Sequence, residues 1–325
     1  MSQTVLVTGA AGFIGSHVVE RLLDLGYQVV GLDNFDDSYE PQIKRDNIQN
    51  LDSNDYFTLF EGDISDRALL HGLFTRYTFD NVIHLAAKAG VRPSIVQSQL
   101  YEEVNIQGTI NLLEESRLTS IKRFIFTSSS SVYGNNTGVP FKEDQQIATP
   151  MSPYAASKAA AELYCYTYHH LYKLPMVIIR PFNIYGPRQR PTMAIHLFTK
   201  KINAGEEIHL FGDGSSTRDH THINDFLDGL LKALTYKECQ FDIFNLGNSR
   251  PVSLNHLVEL IEESLGKKAI IKHLPIQPGD VPATFADISK AQTMLDYHPK
   301  ITIEQGIPLF VKWYRKVQPS KSYIY

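Results

Sequence analysis

The chain has 325 residues, 43% of them hydrophobic, and its 31 basic and 35 acidic residues leave a formal net charge of −4. That length suits one large α/β unit or two closely joined domains with an ample core, and charges this evenly mixed offer no polyanion-binding surface, which argues against nucleic acid as a partner. No apolar run approaches the ~20 residues that span a bilayer, so a membrane partner is not expected either.

The start, Met1-Ser2-Gln3-Thr4-Val5-Leu6-Val7, carries no basic leader and runs straight into a strand pattern. The two cysteines, Cys165 and Cys239, are far apart and in no metal-like spacing. Buried thiols in the reducing cytoplasm, with no metal site, are the expectation.

In chain order, residues 4–8 read as a strand, 14–25 as an amphipathic helix closed by Gly26, and 28–33 as a second strand. Strand patterns recur at 56–61, 81–85, 123–128 and 177–180, with helical patterns near 67–76, 94–118 and 153–171. Strands alternating with helices predict a Rossmann-type, doubly wound parallel sheet whose ligands bind at the carboxyl ends of the strands. Beyond Asn183 the turns multiply and the elements shorten, with a helix near 253–265. The expected division is therefore a dinucleotide-binding domain over 1–182 and a smaller α/β substrate domain over 183–325, with returns to the sheet near 219–246.

Thr8-Gly9-Ala10-Ala11-Gly12-Phe13-Ile14-Gly15 lies between the first strand and the first helix. A tight turn that lets a pyrophosphate approach bare backbone needs glycine, and the helix start then offers free N–H groups. The spacing is GxxGxxG, not the commoner GxGxxG, and alone it is a weak signal. Asp33 strengthens it: it ends the second strand, where a carboxylate accepts both adenosine ribose hydroxyls. The same charge repels a 2′-phosphate, which favours NAD over NADP. Asp63-Ile64, after the third strand, suits an adenine contact.

Tyr154 and Lys158 are four apart near a predicted helix start and share one face. An ammonium beside a phenol favours the phenolate, as does a positively charged nicotinamide, so Tyr154 is expected to have a lowered pKa and to act as a base. A lone YxxxK is more often a surface pair. The context here is a strand ending in Thr127-Ser128-Ser129-Ser130-Ser131-Val132-Tyr133-Gly134, where a hydroxyl can bridge a substrate oxygen and Tyr154.

With these motifs the sequence resembles the extended short-chain dehydrogenase/reductase family over nearly its whole length. The likeness rests on GxxGxxG, Asp33, Asp63-Ile64, Leu85-Ala86-Ala87, Asn105, the serine strand, Tyr154-Ala155-Ala156-Ser157-Lys158 and Arg180-Pro181-Phe182-Asn183-Ile184-Tyr185-Gly186-Pro187. It implies Tyr154, Lys158 and Ser129 as catalytic residues. It implies NAD held by Gly9, Gly12, Phe13, Ile14, Gly15, Asp33, Asn34, Asp63, Ile64, Leu85, Ala86, Ala87, Lys88, Asn105 and Thr127 together with Tyr154 and Lys158. Asn105 would support the lysine. A nucleotide-sugar substrate would meet Arg92, Ser129, Ser130, Asn183, Arg190, Arg218 and Asp280. The resemblance also implies a homodimer that pairs the 94–118 and 153–171 helices.

Family members that dehydrate or decarboxylate nucleotide sugars usually carry an acid just before Val-Tyr-Gly. Here Ser130 and Ser131 stand in those places. Oxidation at C4 with return of the hydride to the opposite face, a 4-epimerisation, is the simplest chemistry left. Segments 89–94, 188–194 and 277–284 are similar to those of UDP-glucuronate 4-epimerases. Arg190 suits a sugar carboxylate because its fork binds bidentately. Asn183 and Thr192 depart from that pattern, where threonine and aspartate are frequent. A 4-epimerase of neutral UDP-glucose or UDP-N-acetylglucosamine therefore stays open, with a UDP-glucuronate decarboxylase or a non-catalytic NAD-binding protein behind it.

Overall fold

A computed structural model describes residues 2–51, 53–136, 138–275 and 283–317. Its central strands are β1 (Thr4–Thr8), β2 (Gln28–Asp33), β3 (Phe57–Glu61), β4 (Asn81–His84), β5 (Arg123–Thr127), β6 (Met176–Pro181) and β7 (Phe241–Leu246). They form one parallel sheet in the spatial order 3-2-1-4-5-6-7.

Successive strand side chains point to opposite faces, and here both faces are covered. Val5, Val7, Val29, Ile83, Ile125, Val177 and Ile179 belong to one buried cluster. Leu6, Val30, Val82, Phe124, Phe126, Met176 and Ile178 belong to another. This two-sided burial explains why the strands read as continuous apolar runs, as parallel sheets do.

The helices start where side chains can cap them. Asp66 accepts the Leu69 N–H at 3.0 Å to open Arg67–Arg76. Ser152 accepts the Ala155 N–H at 3.1 Å to open Pro153–Tyr172, which ends on left-handed Lys173. Phe13–Asp24 buries Gly15, Ser16, Val18, Val19 and Leu22, a single stripe at helical spacing.

The helix expected over 94–118 is interrupted at Gln97, between Val91–Val96 and a continuous run from Ser98 to Arg117 that contains a π-helical turn at Glu103–Gln107. The turn has a cause. Asn105, inside it, is drawn toward Lys88 and Ser157 by side-chain hydrogen bonds.

After Asn183 the chain does return to the large sheet. Ile223–Thr235 lays Ile223, Phe226, Leu227 and Leu230 on the first cluster, and β7 then pairs with β6. Ala194–Ala204, Leu254–Leu265 and Ile303–Val317 build a third cluster around Phe198, Leu257, Ile261, Ile307 and Phe310. Both cysteines are free thiols, Cys165 buried and Cys239 half-buried. No helix among the described residues is long and apolar enough to cross a membrane.

Candidate active site

The strand order reverses at β1, whose neighbours are β2 and β4. Such a switch point opens a crevice at the carboxyl ends of the strands. A cleft of about 480 Å³ lies there. It is lined by Gly9, Gly12, Phe13, Ile14, Gly15, Asp33, Asn34, Asp63, Ile64, Leu85, Ala86, Ala87, Lys88, Thr127, Ser129, Ser130, Tyr154, Asn183 and Arg190, so most of the expected site is brought together. Lys158 and Asn105 lie outside this lining, on its buried side.

The glycine loop is steric necessity. A Cβ on Gly15 would fall 1.9 Å from the Gly9 carbonyl oxygen. Gly9 has φ +70°, and a Cβ there would meet the Ala86 nitrogen at 2.9 Å. Gly12 begins the Phe13–Asp24 helix with no side-chain cap, so the first-turn amides are left for a ligand. Deeper in, the buried Thr127 hydroxyl has no hydrogen-bond partner. Bare backbone at one end and an orphaned donor at the other fit a dinucleotide.

Asp33 is buried at the end of β2 and already well used. It accepts the Ala11 N–H at 3.0 Å, the Phe35 N–H at 2.8 Å and the Lys44 ammonium at 3.4 Å. Lys44 was not singled out from the sequence, where it reads as an ordinary helix lysine. Asn34 donates to Asp63 at 2.6 Å, so the two loops that would face adenosine are tied together.

Tyr154 is half-buried on the cleft wall, its ring edge-on to Tyr101 at 6.1 Å between centroids. Burial raises its pKa above the ordinary value of 10, while a hydrogen bond with Ser129 and the Arg190 charge pull the other way. The expectation that Lys158 lowers the phenol's pKa is thus corrected. Lys158 is buried one turn along the helix, with its Nζ 4.5 Å from the centre of the Phe126 ring. Burial lowers its own pKa to about 8.

Asn105 joins the loop after β4 to the catalytic helix. Its amide accepts the Lys88 N–H at 2.8 Å and donates to the Lys88 carbonyl at 3.0 Å and to Ser157 Oγ at 2.9 Å. These bonds hold the helix that carries Tyr154 and Lys158.

Beneath the serine strand lies a buried network that motif spacing did not disclose. Glu162 pairs with Arg180 at 2.7 Å and accepts from Ser128. Arg180 also donates to the Tyr133 hydroxyl at 3.0 Å, which in turn donates to Asn245 at 2.6 Å. Glu162 lies one helical turn beyond Lys158, and the 154, 158, 162 spacing is the signal that was there to read.

Ser129 caps a short turn, Ser130–Tyr133, by accepting the Ser131 N–H at 3.1 Å. Ser130 and Ser131 both line the cleft. The lining carboxylates, Asp33, Asp36 and Asp63, come from the end of β2 and the loops after β2 and β3, not from this serine turn. Lys44 and Lys88 are each paired with one of them. Arg190 instead donates to the Ala89 carbonyl at 3.2 Å and contacts Met193 Sδ at 3.4 Å.

A second cavity of about 470 Å³ shares Asn183 and Met193 with the first. Arg92, Phe211 and Arg218 line it, with the Arg92 guanidinium 4.1 Å from the centre of the Phe211 ring. Asn183 donates to the Asp219 carbonyl at 3.0 Å. Asp280 lies outside the described residues.

Residues 6–309 match the family model for GDP-mannose 4,6 dehydratase. The UDP-glucuronate 4-epimerase of Thermodesulfobacterium geofontis is 43% identical over 309 residues, which is 95% of each chain. Among solved structures, the UDP-glucuronic acid 4-epimerase of Bacillus cereus, in complex with UDP-glucuronic acid and NAD, superposes with a TM-score of 0.92 at 38% identity, over 97% of this chain and 100% of that one. The UDP-glucose 4-epimerase of Thermotoga maritima, with UDP-glucose, gives 0.89 at 34% identity, over 97% and 100%.

Proposed function

Since the chain belongs to the family of the GDP-mannose 4,6 dehydratase model, within the extended short-chain dehydrogenases/reductases, we propose that it is an NAD-dependent UDP-glucuronate 4-epimerase forming UDP-galacturonate. The observation that carries this reading is at the serine turn. Two hydroxyls, Ser130 and Ser131, occupy the place of an acid, and the same cleft holds a guanidinium, Arg190, unpaired with any carboxylate among the described residues. The 43% identical relative and the Bacillus cereus neighbour support the same substrate.

When bound, NAD would supply the redox chemistry, a reversible hydride exchange with sugar C4. The chain does the rest. Tyr154, with Ser129 beside it, takes the proton from the C4 hydroxyl and later returns it to the ketone oxygen. Between these steps the 4-keto sugar turns over in the cleft and presents its other face, so that C4 is inverted. Asp33, Asn34, Asp63 and the glycine loop hold the dinucleotide, while Asn105 and the Glu162–Arg180 pair keep the Tyr154 helix and the serine strand in place. Arg92, Arg218 and Asn183 hold the nucleotide in the second cavity, and Asp280 is assigned to it on resemblance.

The 4-keto form of glucuronate is a β-keto acid, which loses CO2 when its carboxylate stands perpendicular to the ketone plane. Arg190 and the serine hydroxyls hold that carboxylate without delivering a proton to C5. The Thermotoga maritima neighbour with UDP-glucose and Asn183 favour a neutral-sugar epimerase as the second reading. Product analysis with UDP-glucuronate, UDP-glucose and UDP-N-acetylglucosamine separates them. UDP-galacturonate is expected as the main product, formed by protein that carries its own NAD. Turnover of the neutral sugars alone would overturn the assignment.

We further assign a homodimer, supported by exposed Leu163, Tyr164, Tyr166 and Leu171 on the Pro153–Tyr172 helix with Val96 and Leu118 near it. The two unpaired thiols suit the cytoplasm.

A further inference from the structure

The loops after β2 and β4 face each other across the cleft. β1 lies between those strands, so the loop bases stand two strand spacings apart, roughly 10 Å. Between them, at the end of β1, is the glycine loop. Any contact joining the two outer loops must therefore arch over the site where the pyrophosphate would sit.

Such a contact exists. The Lys88 ammonium, from the loop after β4, meets the Asp36 carboxylate, from the loop after β2, at 2.6 Å. It also donates to Ser38 Oγ at 3.1 Å. All three residues line the cleft, and the pair is largely shielded, with side-chain exposures of 15% and 23%.

The two posts differ in stiffness. Lys88 is clamped at both its N–H and its carbonyl by Asn105. Asp36 sits on a loop shaped by short-range turns, Asp36 N–H to Asn34 at 3.0 Å and Ser38 N–H to Asp36 at 2.9 Å. Burial opposes ionisation of Asp36, but the hydrogen bonds from Lys88 and Ser38 outweigh it and lower its pKa to about 2. Asp36 is therefore ionised at physiological pH.

We infer that Asp36 and Lys88 form a latch that retains the dinucleotide, closing the loop after β2 over the cofactor and opening to let it leave. The inference rests on the NAD reading above and adds how the cofactor is kept between turnovers. An enzyme that must give back the hydride it took gains from slow cofactor release. The β2 loop is the moving part and the Asn105-held lysine the fixed one.

The test loads the full chain with NAD and follows its release, trapping free NAD with an excess of a coupled alcohol dehydrogenase and reading nicotinamide absorbance. Asp36→Asn is expected to speed release about tenfold or more, the size of one charge-assisted contact. Release from Asp36→Asn no faster than from the parent overturns the latch while leaving NAD binding intact. If that variant does not fold, release from Asp36→Ser no faster than from the parent overturns it instead. A parent protein that takes up no NAD overturns both the latch and the NAD reading.

Discussion

Tyr154→Phe is expected to bind NAD and the UDP-sugar as the parent does and to lose roughly 10²–10⁴-fold or more in kcat, the range that positioned acid–base groups contribute. Binding should survive because the ring is held by its edge contact with Tyr101, which needs no hydroxyl. Turnover should not, because no other described group in the cleft both neighbours Ser129 and can take a proton from the sugar. Burial raises the phenol's pKa above 10, and the Ser129 hydrogen bond and Arg190 only partly offset this. The phenol is therefore largely protonated at neutral pH until a further positive charge arrives, and bound NAD provides one. The parent should accordingly show kcat/KM rising with pH as Tyr154 ionises, and the residual rate of Tyr154→Phe should lack that limb. Near-parental turnover in the variant would remove Tyr154 from the mechanism.

Much of this arrangement was legible in the sequence because it is local. Strands β1 to β6 alternate side chains between two buried faces, and the glycine loop is dictated by contacts within a few residues and to Ala86. Other parts depend on distant segments. The seventh strand pairs residues 241–246 with 176–181, which no local pattern announces beyond a hint of return. The π-helical turn at 103–107 holds Asn105, which reaches Lys88 and Ser157, and helical periodicity alone does not announce such a local change of winding.

The electrostatics were harder still. A YxxxK spacing places Tyr154 and Lys158 on one face, but it does not tell that Phe126 lies under the ammonium or that burial dominates both groups. Lys44 against Asp33 and Lys88 against Asp36 are likewise pairings between separate elements of the fold. The first bears on cofactor choice, because a lysine beside Asp33 weakens the repulsion that a lone carboxylate would offer to a 2′-phosphate.

Arg190→Ala should injure the reaction of UDP-glucuronate far more than that of UDP-glucose. Burial raises the pKa of Tyr154, Tyr101 and Tyr39, and the guanidinium in the cleft wall stands close enough to each for its charge to offset part of that rise. Among the described residues its hydrogen-bond partners are one carbonyl and one thioether, which leaves its charge to be met by an anion. A charge-assisted hydrogen bond is worth about 1.5–3 kcal/mol, or roughly ten- to a hundredfold in kcat/KM at about 1.4 kcal/mol per decade. UDP-glucose presents a hydroxymethyl group there and has no such contact to lose. The variant should also release CO2 and form a UDP-pentose, because a carboxylate freed from Arg190 can turn perpendicular to the C4 ketone, the geometry in which its bond to C5 breaks. The measurements are kcat/KM on both sugars and mass spectrometry for the pentose product. Equal losses on the two substrates would reassign Arg190 to holding the Ala89 loop. Selective loss without a pentose would mean that the serine hydroxyls alone keep the carboxylate in plane, with Arg190 supplying affinity.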